Sequence, residues 1–305
     1  MGEKHRVGVI GARGHTGGEL LSILGRHPGV ELAYAGSREL RGEPVPQIDG
    51  LVFDSSSPEE VAGLSLDAVF LALPNGVSRP FVDALSSETA IVDISADHRF
   101  NDDWAYGLPE LNRDKISGAR RIANPGCYAT VAQLAIAPFL DILGGVPVAF
   151  GVSGYSGAGT TPSRKNDPAE LADNLMPYSL VGHIHEGEAT RNLDTEIRMI
   201  PHVHPAFRGL LVTVHLPLST PLERDAALDV LAGAYEQEPL VEVVDRIPEL
   251  KDGTELTGAM LGGVDISGSN LVVVGVEDNL LKGAAVQAVQ NMNLALGHPE
   301  LSGIL

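Results

Sequence analysis

Cys127 is the sole cysteine of the chain, and Asn124-Pro125-Gly126-Cys127-Tyr128-Ala129-Thr130 sets it between a Pro-Gly turn and the start of an apolar helical pattern. A lone thiol is most often a small buried hydrophobe. At a helix N-terminus, however, the unpaired backbone N–H groups favour the thiolate, which makes Cys127 a candidate nucleophile. A second segment, Gly8-Val9-Ile10-Gly11-Ala12-Arg13-Gly14-His15-Thr16-Gly17, spaces glycines at 11, 14 and 17 between a predicted strand and a predicted helix. Glycines also mark ordinary turns. In this context they let the chain turn tightly and bring a pyrophosphate onto a helix N-terminus, a variant of the usual Gly-x-Gly-x-x-Gly dinucleotide loop. About 20 residues further on, an NAD site carries a carboxylate for the ribose 2′-hydroxyl. This chain offers Gly36-Ser37-Arg38 instead. A hydroxyl and a guanidinium suit a 2′-phosphate, so Ser37 and Arg38 point to NADP. Thiolate and nicotinamide together suggest redox acyl transfer, with a thioester accepting the hydride.

Histidines cluster in Gly182-His183-Ile184-His185-Glu186 and in Pro201-His202-Val203-His204-Pro205. In an extended segment His183 and His185 would face one way. Four histidines raise the question of a metal, but an i,i+2 pair is not diagnostic and the only thiol already has a role, so no metal is expected. A proton-transfer histidine near the thiol fits better, since imidazole titrates near neutral pH. Spacing alone does not say which one.

Positioning these groups falls to a chain that alternates short apolar runs with helical patterns. Strands are expected at Val7–Ile10, Val30–Ala35, Ala68–Leu73 and Ala90–Ile94, with helices from Gly17 to Gly25 and starting near Pro58 and Ser78. That alternation predicts an α/β fold with a doubly wound parallel sheet. Past Gly126 the texture changes. A helix is expected over Ala129–Leu143, strands at Val146–Val152, Gly209–Leu218 and Leu271–Val276, and a Gly/Ser-rich binding loop from Ser153 to Ser163. Together they suggest a second, α+β domain on a mixed sheet. Leu280, Leu281, Ala284, Ala285, Ala288, Val289, Met292 and Leu296 recur at helical spacing, predicting a helix over Asn279–Leu296 with Asp278-Asn279 as its cap.

Composition narrows the function classes. The chain has 305 residues, 44% of them hydrophobic, and a formal net charge of −19. So acidic a surface repels phosphate backbones and anionic lipid, which argues against nucleic-acid and membrane partners. No apolar run approaches the ~20 residues of a membrane span, and the first residues do not read as a secretory signal. With one cysteine no intrachain disulfide can form, and a cytoplasmic protein is expected.

The residues also carry a family resemblance, almost end to end. Gly11–Gly17, Leu71-Ala72-Leu73-Pro74-Asn75-Gly76, Asp93-Ile94-Ser95-Ala96-Asp97-His98-Arg99-Phe100, Tyr106–Leu111, Asn124–Tyr128, Ser153–Gly159 and Asp278–Ala285 resemble the matching segments of the N-acetyl-γ-glutamyl-phosphate reductases, in the semialdehyde dehydrogenase superfamily. The resemblance implies an NADPH-dependent step of arginine biosynthesis in a homodimer or homotetramer, with Cys127 as the nucleophile. Gly-His-Ile-His stands where that family has Gly-His-Arg-His, implying His185 or His183 as the acid/base. It further implies cofactor contacts from Gly11, Arg13, Gly14, His15, Thr16, Gly17, Ser37, Arg38, Pro74, Ser156, Gly157 and Asn279. Arg99, Asn124, Ser153, Tyr178 and Arg208 would bind the small acyl phosphate, whose anionic groups need local positive charge in so acidic a protein. It also favours residues 1–126 with 278–305 as the NADP-binding domain, and 127–277 as the catalytic and dimerisation domain. Competing readings are a related aspartyl or aminoadipyl phosphate reductase, and a non-enzymatic NADP-binding sensor with Cys127 as its redox switch.

Overall fold

The computed structural model describes residues 4–46 and 48–305. Two compact units are present, one running through Pro125 and resuming at Ala284, the other spanning Gly126–Gly283.

The first unit contains β1 (His5–Ile10), α1 (His15–Gly25), β2 (Val30–Gly36), β3 (Phe53–Asp54), α2 (Pro58–Ala62), β4 (Ala68–Leu71), α3 (Arg79–Ala84), β5 (Ala90–Asp93), β6 (Ala105–Tyr106), α4 (Pro109–Ile116) and β7 (Arg121–Ala123). Its sheet runs β3-β2-β1-β4-β5-β7-β6, with every pair parallel. β4 and β5 are buried throughout, as strands covered on both faces must be. The chain order reverses between β1 and β4, which opens the crevice where such sheets bind ligands. α2 begins where Pro58 predicted, its N-terminus closed by a reciprocal Ser57–Glu60 capping box. The C-terminal helix, Val286–Leu296, packs on α1, α4 and β5 through its small and apolar residues.

The second unit contains α5 (Cys127–Ile136), β8 (Val148–Gly154), α6 (Pro168–Leu171), β9 (Met176–Pro177), α7 (Ile184–Leu193), β10 (Arg198–His204), β11 (Leu210–Pro217), α8 (Arg224–Tyr235), β12 (Val241–Val243), β13 (Ala259–Ser267) and β14 (Asn270–Glu277). Its sheet is mixed, in the order β12-β13-β14-β11-β8-β10-β9. α5 is buried on every side from Tyr128 to Ile136. It lies close on the sheet because β8 and β14 present glycines. A Cβ on Gly151 would fall 2.3 Å from the Tyr128 ring, and one on Gly275 would fall 2.4 Å from Val131.

Three local expectations need correction. The helix expected over Ala129–Leu143 starts at Cys127, stops at Ile136 and tightens into a 3₁₀ turn over Ala137–Ile142, because Pro138 has no N–H to donate. His183 and His185 are not on an extended segment. His183 caps α7, its Nδ1 accepting the His185 N–H at 3.2 Å, and His185 sits in the first turn. The expected Asn279–Leu296 helix is π-helical over Leu281–Ala285 and α-helical only from Val286. Asn279 does not cap it: its side-chain oxygen accepts the Gly209 N–H and its amide nitrogen donates to Ser156 Oγ. Residues 278–283 accordingly stay with the second unit, and the return to the first begins at Ala284. Among the described residues no helix is long and apolar enough to cross a membrane.

Candidate active site

The glycine loop has the form its spacing predicts. Gly11 follows β1 with φ +84°, and a Cβ there would lie 2.1 Å from the Ala72 carbonyl oxygen just past β4. Any other residue would be strained in the left-handed region and would also collide with that backbone. A Cβ on Gly17 would lie 2.4 Å from the Gly11 oxygen, so this glycine lets α1 pack against the turn. Gly14 is the N-cap of α1; no side chain caps the helix and no carboxylate stands in its first turn. Backbone N–H groups left that way suit an anion. Ser37 and the exposed Arg38 follow β2, with Ser37 Oγ accepting the Leu40 N–H. Arg13 reaches the same region and is 2.5 Å from Glu39. His15 is held below its ordinary pKa by burial and by Arg13, which keeps it neutral beside the loop. The loop, the uncapped helix and the two arginines therefore fit a dinucleotide with a 2′-phosphate.

Other expected residues of the first unit stand around the sheet's C-terminal edge. Arg99 is buried, with Nε donating to the Asn124 carbonyl and Nη2 to that of Ile94, both at 2.9 Å. Asn124 is also buried, and its Oδ1 accepts from Asn291. Pro74 is exposed after β4. The loop beyond it is pinned by Asp97, which accepts the Gly76 N–H and the Ser78 hydroxyl. Burial pushes the Asp97 carboxyl up, but these hydrogen bonds outweigh it and leave it below the usual range.

In the second unit Cys127 is the first residue of α5 and is half-buried. Gly126 is the N-cap, again with no side-chain cap bond and no carboxylate in the first turn. A Cβ on Gly126 would lie 2.1 Å from His185 Nε2, so the imidazole rests directly on the residue before the thiol. His183 is packed edge-on to His185 at 4.7 Å between ring centroids, and Tyr178 stands 5.5 Å from His183. Tyr128 and Tyr178 both have hydroxyls pushed well above the ordinary range, first by burial and then, for Tyr128, by Tyr178 and Cys127 and, for Tyr178, by Cys127. They stay protonated at neutral pH. Tyr128 donates to the His202 carbonyl at 2.6 Å.

Ser153, Ser156 and Asn279 form one buried polar group beside the exposed Gly157. A Cβ on Gly157 would be 3.2 Å from Ser153 Oγ and 3.7 Å from Asn279 Nδ2, and Asn279 holds Ser156 Oγ at 2.8 Å. Arg208 is committed on its Nε side to buried Asp278, 2.7 Å away. The sequence reading passed over two buried carboxylates. Glu188 accepts the Gly126 N–H at 3.1 Å. Glu277 lies beside Gly283, whose absent Cβ would be 2.6 Å from its Oε1 and 2.7 Å from Cys127 Cβ. The spacing of His185 and Glu188, three residues apart, was the available signal once the segment is known to be helical. Among the described residues no group of three or more His, Cys, Asp or Glu side chains is arranged to hold a metal.

The comparisons with known proteins match both units. Residues 6–119 match the semialdehyde dehydrogenase NAD binding domain, and residues 127–279 the semialdehyde dehydrogenase dimerisation domain. Aspartate semialdehyde dehydrogenase II from Vibrio cholerae shares the fold, with TM-score 0.81 at 20% identity over 97% of this chain and 99% of that one. N-acetyl-gamma-glutamyl-phosphate reductase of Xanthomonas campestris pv. campestris (strain B100) is 50% identical across 98% of both chains. The enzyme of that name from Stenotrophomonas maltophilia (strain R551-3) is 49% identical across 98% of this chain and 97% of its own. With two unit-length matches and relatives this similar over nearly the whole sequence, the chain belongs to the N-acetyl-γ-glutamyl-phosphate reductase family of the semialdehyde dehydrogenases.

Proposed function

We propose that this protein reduces N-acetyl-γ-glutamyl phosphate to the semialdehyde, using NADPH and releasing phosphate, within arginine biosynthesis. The observation that carries the reading is the thiol at the uncapped start of buried α5, with the His185 ring resting on the preceding glycine. Cys127 attacks the acyl carbon, the carbon–oxygen bond to phosphate breaks, and a thioester forms. His185 carries the thiol proton to the departing phosphate oxygen. NADPH, when bound, supplies the hydride. His185 takes a second proton from solvent, and as the aldehyde forms and the carbon–sulfur bond breaks it gives that proton to sulfur. The α5 N–H groups hold negative charge at each stage.

Gly11, Gly14, Gly17, Arg13, His15, Thr16, Ser37 and Arg38 would hold the nucleotide, its 2′-phosphate facing the guanidinium groups. Pro74, Ser156, Gly157 and Asn279 complete its contacts, and Arg99, Asn124, Ser153, Tyr178 and Arg208 recognise the substrate. A cytoplasmic homodimer suits the second unit. On the sheet face away from α5, Phe150 pairs with Ile200 and Thr213, and Val152 pairs with His202 and Leu211. Four of these six residues are apolar and Phe150 is exposed, which suits a face covered by a second copy. The deciding assay is NADPH oxidation with N-acetylglutamyl phosphate against aspartyl phosphate. A preference for aspartyl phosphate, or no turnover with either, would overturn the reading.

A further inference from the structure

Two neighbouring cations of the second unit are used differently. The 3₁₀ turn Arg164–Asn166 follows the Gly/Ser-rich loop and is closed by a capping box between Ser163 and Asn166. Asn166 also donates to the carbonyls of Gly159 and Thr161, which ties the loop to the turn. Arg164 is paired with Glu170, 2.9 Å from its Nε and 2.8 Å from its Nη2. Among the described residues Lys165 enters no ion pair. The carboxylates beside it in the chain are engaged elsewhere, Glu170 by Arg164 and Asp167 by the Ala169 N–H at the start of α6. A lysine ordinarily carries its charge out to water. The half-buried Lys165 instead holds its ammonium over the face of Tyr178, 4.8 Å from the ring centroid.

Tyr178 connects that ammonium to the thiol. Its ring meets His183 edge-on at 5.5 Å, and His183 meets His185, which rests on the glycine before Cys127. Its hydroxyl is held above the usual phenol range first by burial and then by the Cys127 charge, so the thiolate's field reaches it. One uncharged ring thus carries a cation on its face and has the nucleophile near its hydroxyl.

We infer that Lys165 is a specificity-determining residue: its ammonium pairs with the side carboxylate of the acyl phosphate, the one on the carbon that bears the acylated nitrogen. The inference rests on the proposed reaction at Cys127. Sulfur holds the reacting carbon, and the carbon chain runs along Tyr178 to the charge. Aspartyl phosphate is one methylene shorter, so its carboxylate would fall short of the ammonium. Its free amine would also bring a like charge to Lys165. Acylation removes that second charge, so one lysine both attracts the carboxylate and rejects the unacylated amine. In a chain of net charge −19 the substrate anion needs such a cation locally.

Lys165→Met keeps the apolar stem on the Tyr178 ring and removes the charge. KM for N-acetylglutamyl phosphate should rise about tenfold to a hundredfold, with kcat changing far less and KM for NADPH within about twofold. Lys165→Arg should recover most of the loss, which a loosened loop would not explain. In the reverse direction, with NADP, N-acetylglutamate semialdehyde and inorganic phosphate, Lys165→Met should raise KM for the aldehyde and not for phosphate. A rise for phosphate alone would overturn the assignment. The α-carboxamide of the aldehyde completes a double-mutant cycle. The unaltered enzyme should lose with it what Lys165→Met loses with the acid, and Lys165→Met should lose little more. Additive losses, or an unmoved KM in Lys165→Met, would overturn the inference. Should Lys165→Met not fold, Lys165→Gln takes its place in the cycle. Failure of the underlying reading looks different, since the unaltered protein would then not turn over N-acetylglutamyl phosphate, or Cys127→Ser would still do so.

Discussion

Two helices of this protein begin in the same way and serve different ends. α1 and α5 each start after a glycine N-cap in extended conformation, without a side-chain cap and without a carboxylate in the first turn. In both, the positive end of the helix is left open to an anion that no capping side chain supplies. At α1 nothing in the protein demands the capping glycine. A Cβ on Gly14 would make only an ordinary contact, 3.4 Å from the Gly11 oxygen, so there is space there for a ligand. At α5 the capping glycine is required by the protein itself, because His185 occupies the position a side chain would take. In the proposed reading the anion of α1 is the nucleotide and that of α5 is the thiolate of its own first residue. A helix N-terminus thus becomes a binding site or a nucleophile's seat according to whether solvent or packed side chains surround it.

The largest expected effect breaks the α5 side of this pair. Cys127→Ser should lower turnover by about four orders of magnitude or more while leaving NADPH affinity within about twofold, because a hydroxyl does not ionise near neutral pH. Steady-state kinetics and a fluorescence titration of NADPH check both halves. Gly126→Ala should follow, costing about a hundredfold or more in kcat as the methyl displaces His185, with little change in NADPH affinity. At the nucleotide side, Arg38→Asp should lower the preference for NADPH over NADH by about tenfold to a hundredfold, since it puts a carboxylate where the 2′-phosphate is expected. Equal use of the two cofactors by the unaltered protein would count against that placement. Gly14→Ala sharpens the comparison: melting temperature unchanged, NADPH bound about tenfold more weakly. If instead Gly14→Ala destabilised the fold and Gly126→Ala did not disturb turnover, the contrast between the two helices would be false.

What the sequence disclosed follows the same division. β1, β2, β4 and β5 were legible within a few residues, because strands buried on both faces leave continuous apolar runs between turn residues. The glycine loop was legible because its backbone needs glycine. α7 was not. It has few apolar residues to set a helical period, and its start depends on His183 acting as a cap, a role more familiar for Ser, Thr, Asp and Asn. Missing α7 meant missing Glu188, since its link to His185 exists only on a helix. The π-helical turn after Asn279 was equally hidden, because spacing reports which face is buried and says nothing about which carbonyl each N–H meets.

The smallest expected effect concerns pH and the first unit. His27 is buried, its Nδ1 accepts the Gly29 N–H, and its Nε2 is 3.0 Å from Asn293 Oδ1, so the neutral ring is satisfied on both sides. Burial holds its pKa below the ordinary value despite the opposing Asn293 bond, and burial with His5 and His27 does the same for His298. The unfolded chain therefore binds more protons than the folded one below about pH 6.5, and stability falls as pH drops through that window. Melting temperature should decline by a few degrees between pH 7 and pH 5, and His27→Gln should flatten the slope. Loss of NADPH affinity need not accompany it, which separates this effect from those at α1.

The central claim is that the anion seated at α5 is a nucleophile that carries the acyl group. It is tested most directly by mixing the enzyme with N-acetyl-γ-glutamyl phosphate in the absence of NADPH and following phosphate release and intact mass. The account predicts one phosphate released per active site, with a hydroxylamine-sensitive acyl adduct on the peptide containing Cys127. Phosphate release without an adduct, an adduct on another residue, or the same burst from Cys127→Ser would contradict it.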